Sequence, residues 1–177
     1  NEIDDQVQVN LPQIVANENI IEIDERVDRD GNIVVPLHRG QVEEAVDKLV
    51  DAGVDAIAIC FLWCSRNEKN EREVETIVRE RVPNLFVTCS VSAASVFREY
   101  ERWMTAILNC YVQPPVDNFV TRIVTGLRKH GYKNAVEFFN GLGGVLGEEE
   151  VRKQPVLLYS SGPAGGAIGA SALARRY

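Results

Sequence analysis

Val54-Asp55-Ala56-Ile57-Ala58-Ile59-Cys60-Phe61-Leu62 is apolar at all but one position. A strand with one wet face would alternate, so this run reads as a strand covered on both sides and central in a sheet. Just upstream the period is that of a helix. From Gln41, the residues Val42, Ala45, Val46, Leu49 and Val50 share one face, and Gly53 stops it. Downstream, Asn67 is placed to cap a highly charged helix through Val82, with Val74, Ile77, Val78 and Val82 turned inward. Pro83-Asn84 breaks that helix, and Leu85-Phe86-Val87-Thr88-Cys89 follows as a second strand. Strand, helix and strand within this length predict a right-handed crossover between parallel neighbours. The architecture is α/β.

On the N-terminal side, residues 1–19 are polar and without period. Ile21, Ile23, Glu25 and Val27 alternate with charged residues as a half-exposed strand does, and Asp30-Gly31 turns the chain into Ile33-Val34-Val35, which Pro36 ends. On the C-terminal side, Ser92 to Tyr111 reads as helical. Pro114-Pro115 is expected to kink or restart the chain before a second helix, Val116 to Lys129, that ends at Gly131. A short strand, Ala135 to Phe139, runs into the cluster from Asn140 to Gly147, and a short acidic-to-basic helix spans Glu148 to Gln154. The apolar run Pro155 to Tyr159 then leads, as a strand, into Ser160-Ser161-Gly162-Pro163-Ala164-Gly165-Gly166-Ala167-Ile168-Gly169-Ala170. A helix follows from Ala170 to Arg176.

The chain has 177 residues, 45% of them hydrophobic and 25% charged, which is the balance of a soluble globular protein with a proper core. A net charge of −7 argues against nucleic acid as partner, since phosphate binding needs clustered Lys and Arg. No apolar run reaches the roughly 18–20 residues of a membrane span. The chain begins at Asn1-Glu2-Ile3 and stops on a helix at Arg175-Arg176-Tyr177, so a piece of something longer is expected. Cys60, Cys64, Cys89 and Cys110 form no C-x-x-C pair and fit buried free thiols in a reducing cytoplasm. His38 and His130 stand apart from them, and no metal site is expected.

Two features carry candidate chemistry. The final glycine stretch puts a strand, a glycine turn and a small-residue helix together, with Pro163 suited to a first helical turn and Ser161 to a cap. Such a place lets backbone approach a ligand, or simply another helix. The other is Arg98-Glu99-Tyr100-Glu101-Arg102, where helical spacing puts Arg98 and Arg102 on one face and Arg98 beside Glu101. On its own this is a solvated ion-paired surface. The apolar run from Trp103 to Val112 that follows pulls part of it inward, where charges are retained mainly if paired or functional. Gly141-Leu142-Gly143 and Gly147 follow a strand as a nucleotide turn does, but the next helix is too short for a dinucleotide fold and no Walker lysine follows either cluster. Ser160 and Ser161 lack the G-x-S-x-G elbow of a serine hydrolase.

Three stretches together resemble the hydantoinase A / 5-oxoprolinase family, which includes subunits of acetone and acetophenone carboxylases. Ile23-Asp24-Glu25-Arg26-Val27-Asp28, with Gly31 and Val34-Val35-Pro36-Leu37, resembles its E-x-D-E-R-V-D-x-x-G-x-V-x-x-P-L. Phe97-Arg98-Glu99-Tyr100-Glu101-Arg102 with Asn109-Cys110-Tyr111-Val112 resembles F-R-E-Y-E-R followed by N-A-Y-V. Gly143-Gly144-Val145, Pro155-Val156 and Ser161-Gly162-Pro163-Ala164-Gly165-Gly166 resemble G-G-V, P-V and S-G-P-A-G-G. Order and spacing agree along nearly the whole chain.

The resemblance implies part of the first lobe of an actin/Hsp70-like (ribonuclease-H-like) ATPase fold, a mixed sheet with flanking helices. Residues 1–97 would end the N-terminal hydantoinase/oxoprolinase region and residues 98–177 would start the hydantoinase A domain. It implies a cytoplasmic hydrolase of hydantoin-utilisation type that opens a small cyclic amide, a hydantoin or 5-oxoproline, with ATP and Mg2+. The alternatives are an ATP-dependent ketone carboxylase subunit or a degenerate assembly module. A hydantoinase B-type partner subunit is implied as well. Both D-x-G-G-T phosphate loops of that fold are missing here, so the piece alone is expected to bind no ATP and to be inactive. Arg98, Glu99, Glu101 and Arg102 are the implied catalytic candidates. Ser161, Gly162, Gly165, Gly166, Gly143 and Gly144 are the implied cofactor-binding ones. Where the family usually reads S-D-G-G or S-N-G-G, this chain has Gly141-Leu142-Gly143-Gly144, and a leucine cannot orient a phosphate, metal or water.

Overall fold

The computed structural model describes residues 13–94 and 96–176. The expectations for residues 1–12, and for Ser95 within the helix read from Ser92, lie outside the described residues.

Arg26–Val27 (β1) and Ile33–Val35 (β2) form the expected hairpin. Asp28 Oδ2 accepts from the Asn32 side-chain amide at 3.0 Å and Oδ1 from the N–H groups of Asp30 and Asn32 at 2.9 Å; the Asn32 side-chain bond first, and the backbone bonds with it, lower the Asp28 carboxyl from its ordinary value. Gly31 supplies the φ of +88° the turn needs. The strand is shorter than the alternation from Ile21 suggests.

Arg39–Asp51 (α1) starts where His38 Nδ1 accepts from Gln41 N–H at 3.4 Å, and buries Val42, Ala45 and Val46. Ala56–Ile59 (β3), Lys69–Arg81 (α2) and Phe86–Cys89 (β4) are the predicted crossover, with β3 and β4 parallel and Ile57 opposite Val87. The cap residue of α2 is Glu68, without a side-chain bond, rather than the expected Asn67; one residue earlier, Asn67 Oδ1 accepts from Lys69 N–H at 3.1 Å while its amide donates to Gly31 O at 2.9 Å. That second bond ties the hairpin to the loop after β3.

Ile57, Ile59 and Val87 pack with Val42 and Val46 of α1 and Val74, Ile77 and Val78 of α2. Each such burial is worth about 1.5–3 kcal/mol before entropy. The other face, with Ala58 opposite Thr88, meets Asn109 of the long helix Glu99–Lys129 (α4) that follows the single turn Ser90–Ala93 (α3). The pair β3–β4 is thus covered on both sides, as its apolar run demanded. Parallel and antiparallel pairings are both present, divided among three two-stranded sheets in the described residues.

Three expectations are corrected. Pro114-Pro115 does not restart the chain, because α4 runs through both. Both prolines are exposed, which leaves the carbonyls they orphan within reach of water, and the second half is pinned from outside: Arg152 pairs with Asp117, its Nη2 donates to Thr121 Oγ1 at 3.1 Å, and Val120 is buried. The helix read from Ser92 to Tyr111 is broken, since α3 ends at Ala93 and α4 starts only at Glu99, and the cluster after Phe139 closes a hairpin in which Glu137–Phe139 (β5) pairs antiparallel with Val145–Gly147 (β6). Asn140 Oδ1 accepts the N–H groups of Leu142 and Gly144 at 2.9 and 3.0 Å and closes the turn.

Third, Pro155–Leu158 is a 3-10 turn, not a strand, entered from the short helix Glu148–Lys153 (α5). A proline at its start and a buried tie from Asn109 to Val156 N–H favour the coiled form. The last helix, Ser161–Ala174 (α6), begins nine residues before the predicted Ala170. Ser160 is its cap residue at φ +59°, without a side-chain bond, so Ser161 does not cap it.

Candidate functional site

The carboxyl ends of the parallel strands β3 and β4 carry one group of candidate residues. Of Arg98-Glu99-Tyr100-Glu101-Arg102, the structure sends Arg102 inward and leaves the rest at the surface. Arg98 is 83% exposed and lies 3.8 Å from Glu101 Oε1. Glu99 and Glu101 fall in the first turn of α4, where the positive end of the helix favours carboxylates. Arg102 is fully buried. Its Nε donates to Ser90 Oγ at 3.1 Å, Nη1 to Val96 O at 3.2 Å and Nη2 to Phe61 O at 3.1 Å, with Glu99 Oε1 at 3.9 Å.

Sequence reasoning missed the group that faces it. Glu71 of α2 is fully buried, and its carboxylate accepts from Phe61 N–H at 2.9 Å, Val91 N–H at 3.1 Å and Ser90 Oγ–H at 2.6 Å. One signal was available, since Glu71 stands three and seven residues before Val74 and Val78 and so shares their apolar face. Nothing local marked Ser90. Trp63, in the loop after β3, is held at φ +55°; its ring meets Phe97 edge-on at 5.5 Å, with the Arg66 guanidinium over that same ring at 5.4 Å.

The four thiols lie close to this region and are free. Burial pushes Cys64 up to about 11 and Cys60 and Cys110 to about 12, and raises Cys89 further. All four are protonated at neutral pH, the state of inert thiols rather than nucleophiles. Among the described residues no group of three or more His, Cys, Asp or Glu could hold a metal ion.

The glycine candidates form a second group, which the β5–β6 hairpin and α6 bring together. Gly143, at φ +89°, has Ile168 Cδ1 3.5 Å from the place of its missing Cβ, and Gly165 has the Phe139 ring at 3.4 Å. Gly144 lies against Asn140. Gly144 is in tight contact and Gly143 is required by its left-handed backbone, while the ring beside Gly165 stands at ordinary contact distance. Gly162 and Gly166 differ, with nothing within 4 Å of a Cβ, and Ser161 is half-buried in the first turn. The first N–H groups of α6 have no side-chain cap, leaving a fourteen-residue helix with its positive end open. Gly141 was not singled out for packing, yet a Cβ there would collide with the Tyr159 carbonyl, and its N–H donates to Leu157 O at 2.9 Å. Leu142 stands 88% exposed at the tip of the hairpin.

The family model described as hydantoinase/oxoprolinase N-terminal region matches residues 1–82, and the one described as hydantoinase/oxoprolinase matches residues 102–177. The chain is 30% identical to the acetophenone carboxylase gamma subunit of Aromatoleum aromaticum, over 92% of this chain and 23% of that one. Among solved structures it is similar to an ATP-dependent caprolactamase from Pseudomonas jessenii (TM-score 0.76, 30% identity, 80% of this chain and 20% of that one). It is also similar to a nucleotide-free acetone carboxylase (TM-score 0.72, 30% identity, 86% and 22%). The chain therefore spans less than a quarter of the length of the relatives it matches. At these scores the fold is theirs: α/β, part of an actin-like architecture.

Proposed function

Because the chain belongs to the hydantoinase/oxoprolinase family, we propose that it is part of the first lobe of an ATP-dependent cyclic-amide hydrolase. The observation that carries this reading is the likeness to a caprolactamase, an enzyme named for a cyclic amide and described as ATP-dependent. ATP with Mg2+ would supply a phosphoryl group that makes the amide carbonyl a better electrophile.

The residues present fit one side of a nucleotide site. Gly162 and Gly166 leave open space where side chains would stand, and Ser161 and the uncapped N–H groups of α6 offer donors to an anion. Gly143 and Gly165 contribute indirectly, at the contact between the hairpin and α6, and Gly144 by leaving room for the Asn140 side chain that closes the hairpin turn. Arg98 and Glu101, exposed and paired, are the residues of the charged cluster free to meet substrate, while Arg102 is buried with Glu99 3.9 Å away. On this reading the enzyme works in the cytoplasm with a hydantoinase B-type partner subunit. The 177 residues alone turn over no ATP.

A ketone-carboxylase reading has its own support, since the acetophenone carboxylase subunit matches 92% of the chain and acetone carboxylase 86%. Steady-state ATP hydrolysis by the full-length protein, with and without its partner, separates the two. Stimulation by 5-oxoproline, a hydantoin or caprolactam supports the hydrolase; stimulation only by acetone with bicarbonate supports the carboxylase. No turnover with any of them, from a folded protein, overturns both. That result would leave a degenerate assembly module, with exposed Leu142 the first position to restore to Asp or Asn.

A further inference from the structure

The exposed half of the charged cluster rests on a buried brace whose other members nothing assigns. The loops that leave β3 and β4 both start at the carboxyl edge of a parallel pair, which is where α/β folds bind ligands. Glu71, from α2, takes the amide N–H of Phe61 in the first loop and of Val91 after the second strand. Arg102, from α4, takes the carbonyls of the same Phe61 and of Val96. Ser90 joins the two charges, donating to Glu71 Oε1 at 2.6 Å and accepting from Arg102 Nε at 3.1 Å. Phe61 is therefore gripped at both its N–H and its C=O, two residues before Trp63.

We propose that Glu71, Ser90 and Arg102 are positioning residues for the reaction. Their brace locks the Phe61–Arg66 loop and the 96–101 segment into one rigid surface on which Trp63, Phe97, Arg98 and Glu101 face the substrate. Two observations beyond the bonds themselves point this way. Trp63 sits in left-handed backbone, which is unfavourable for a residue with a Cβ, so its surroundings must impose it. Its ring reaches across to Phe97, the residue just before Arg98, under the Arg66 guanidinium. Two separate loops are thus joined above the brace as well as below it. A brace made only for stability would have no reason to fix strained, partly exposed aromatic and cationic groups. The proposal rests on the reading that this edge meets substrate.

The experiment uses the full-length protein and the variants Ser90→Ala and Arg102→Lys. Hydrogen exchange is measured at residues 61–67 and 96–101, and kcat and KM for ATP in the substrate-stimulated reaction. Ser90→Ala is expected to speed exchange in both segments while α1 and α2 stay protected. It should also lower kcat about 10–100-fold with KM for ATP unchanged, since small misplacements of reacting groups cost that much. Arg102→Lys keeps the charge but cannot span three acceptors, so it is expected not to rescue either readout. Unchanged exchange in both segments, or faster exchange with full kcat, overturns the proposal, as does recovery by Arg102→Lys. If the unaltered protein shows no turnover, the functional reading has failed on its own. Exchange then decides the brace: wild-type rates in Ser90→Ala reject it.

Discussion

Replacing Arg102 with methionine tests the brace as a piece of energetics. The side chain is fully buried and makes three hydrogen bonds of 3.1–3.2 Å. Methionine fills much of the same volume, so the loss is electrostatic rather than a cavity. Glu71 keeps its two amides and the Ser90 hydroxyl but loses the buried cation beside them, and stranding one member of a buried charge network costs about 3–5 kcal/mol. Two of the orphaned acceptors are partly relieved. Phe61 O retains a weak bond from Trp103 Nε1 at 3.4 Å, and Val96, 42% exposed, lets water reach its carbonyl. The lower end of that range, about 3 kcal/mol, is therefore expected.

Removing the second charge as well, with Glu71→Leu, should not restore wild-type stability. Leucine cannot accept from Phe61 and Val91, and each buried N–H left unpaired costs about 1–3 kcal/mol. The double variant is expected to lose about 1–3 kcal/mol less than the sum of the singles, yet to stay at least about 2 kcal/mol below wild type. Urea unfolding followed by tryptophan fluorescence suits the measurement. The chain's two tryptophans are Trp63 and Trp103, one edge-on to Phe97 and one bonded to Phe61 O. A single variant within about 1 kcal/mol of wild type, or a double variant equal to it, would refute the reasoning.

Asn109→Ala leaves Val156 N–H and Lys153 O without their buried partner, at 3.1 and 3.2 Å; about 2–3 kcal/mol should be lost, read by thermal unfolding, with the 153–160 segment exchanging first. Gly141→Ala forces a methyl against the Tyr159 carbonyl and should cost about 1–3 kcal/mol, whereas Gly162→Ala, with open space around it, should gain up to about 1 kcal/mol; equal effects in calorimetry would reject this placement. The thiol pKa values are raised by burial, so the folded chain holds its protons more tightly than the unfolded one. That stability is complete below about pH 9 and lost as pH rises through 11 to 12, and unfolding midpoints that stay flat from pH 8.5 to 11 would count against buried thiols. Residues 1–97 expressed alone lack Arg102, Ala106 and Asn109, which cover one face of β3–β4. They should show no cooperative unfolding transition by circular dichroism, and a sharp one would show that α4 is dispensable.

The parts of the fold legible in the sequence were those whose signal is local. The crossover from β3 through α2 to β4 announced itself by an unbroken apolar run followed by a period of 3.6, and Asp30-Gly31 by its turn chemistry. What local reading missed was decided at a distance. Pro114 and Pro115 are helix breakers by every nearby criterion, and α4 continues because Arg152, some 35 residues on, anchors its second half. The 155–158 turn owes its form to Asn109, 47 residues earlier. In the charged cluster the spacing showed that part must turn inward, but not which arginine, because that depends on Glu71 and Ser90.

The three stretches that carry the family resemblance divide by burial into two kinds of residue. One kind ties distant pieces of chain together. Glu25 accepts from Asn70 at 2.7 Å across 45 positions, Arg102 reaches Phe61 across 41, and Asn109 reaches Val156 across 47. Such bonds satisfy groups that burial would otherwise leave unpaired, so their residue types are fixed by the topology whatever the reaction. The other kind is left free in the same stretches: Arg98 and Glu101 beside the carboxyl edge, Gly162 and Gly166 at the open end of α6. Among the described residues, no buried group bonds to the Arg98 or Glu101 side chains, and nothing lies within 4 Å of a Cβ at Gly162 or Gly166. On the proposed reading, lactam opening and ketone carboxylation would differ at the exposed kind and at what packs over it. On that reading substrate choice is to be sought at Arg98 and Glu101, and altering Arg102 or Asn109 should weaken the reaction without redirecting it.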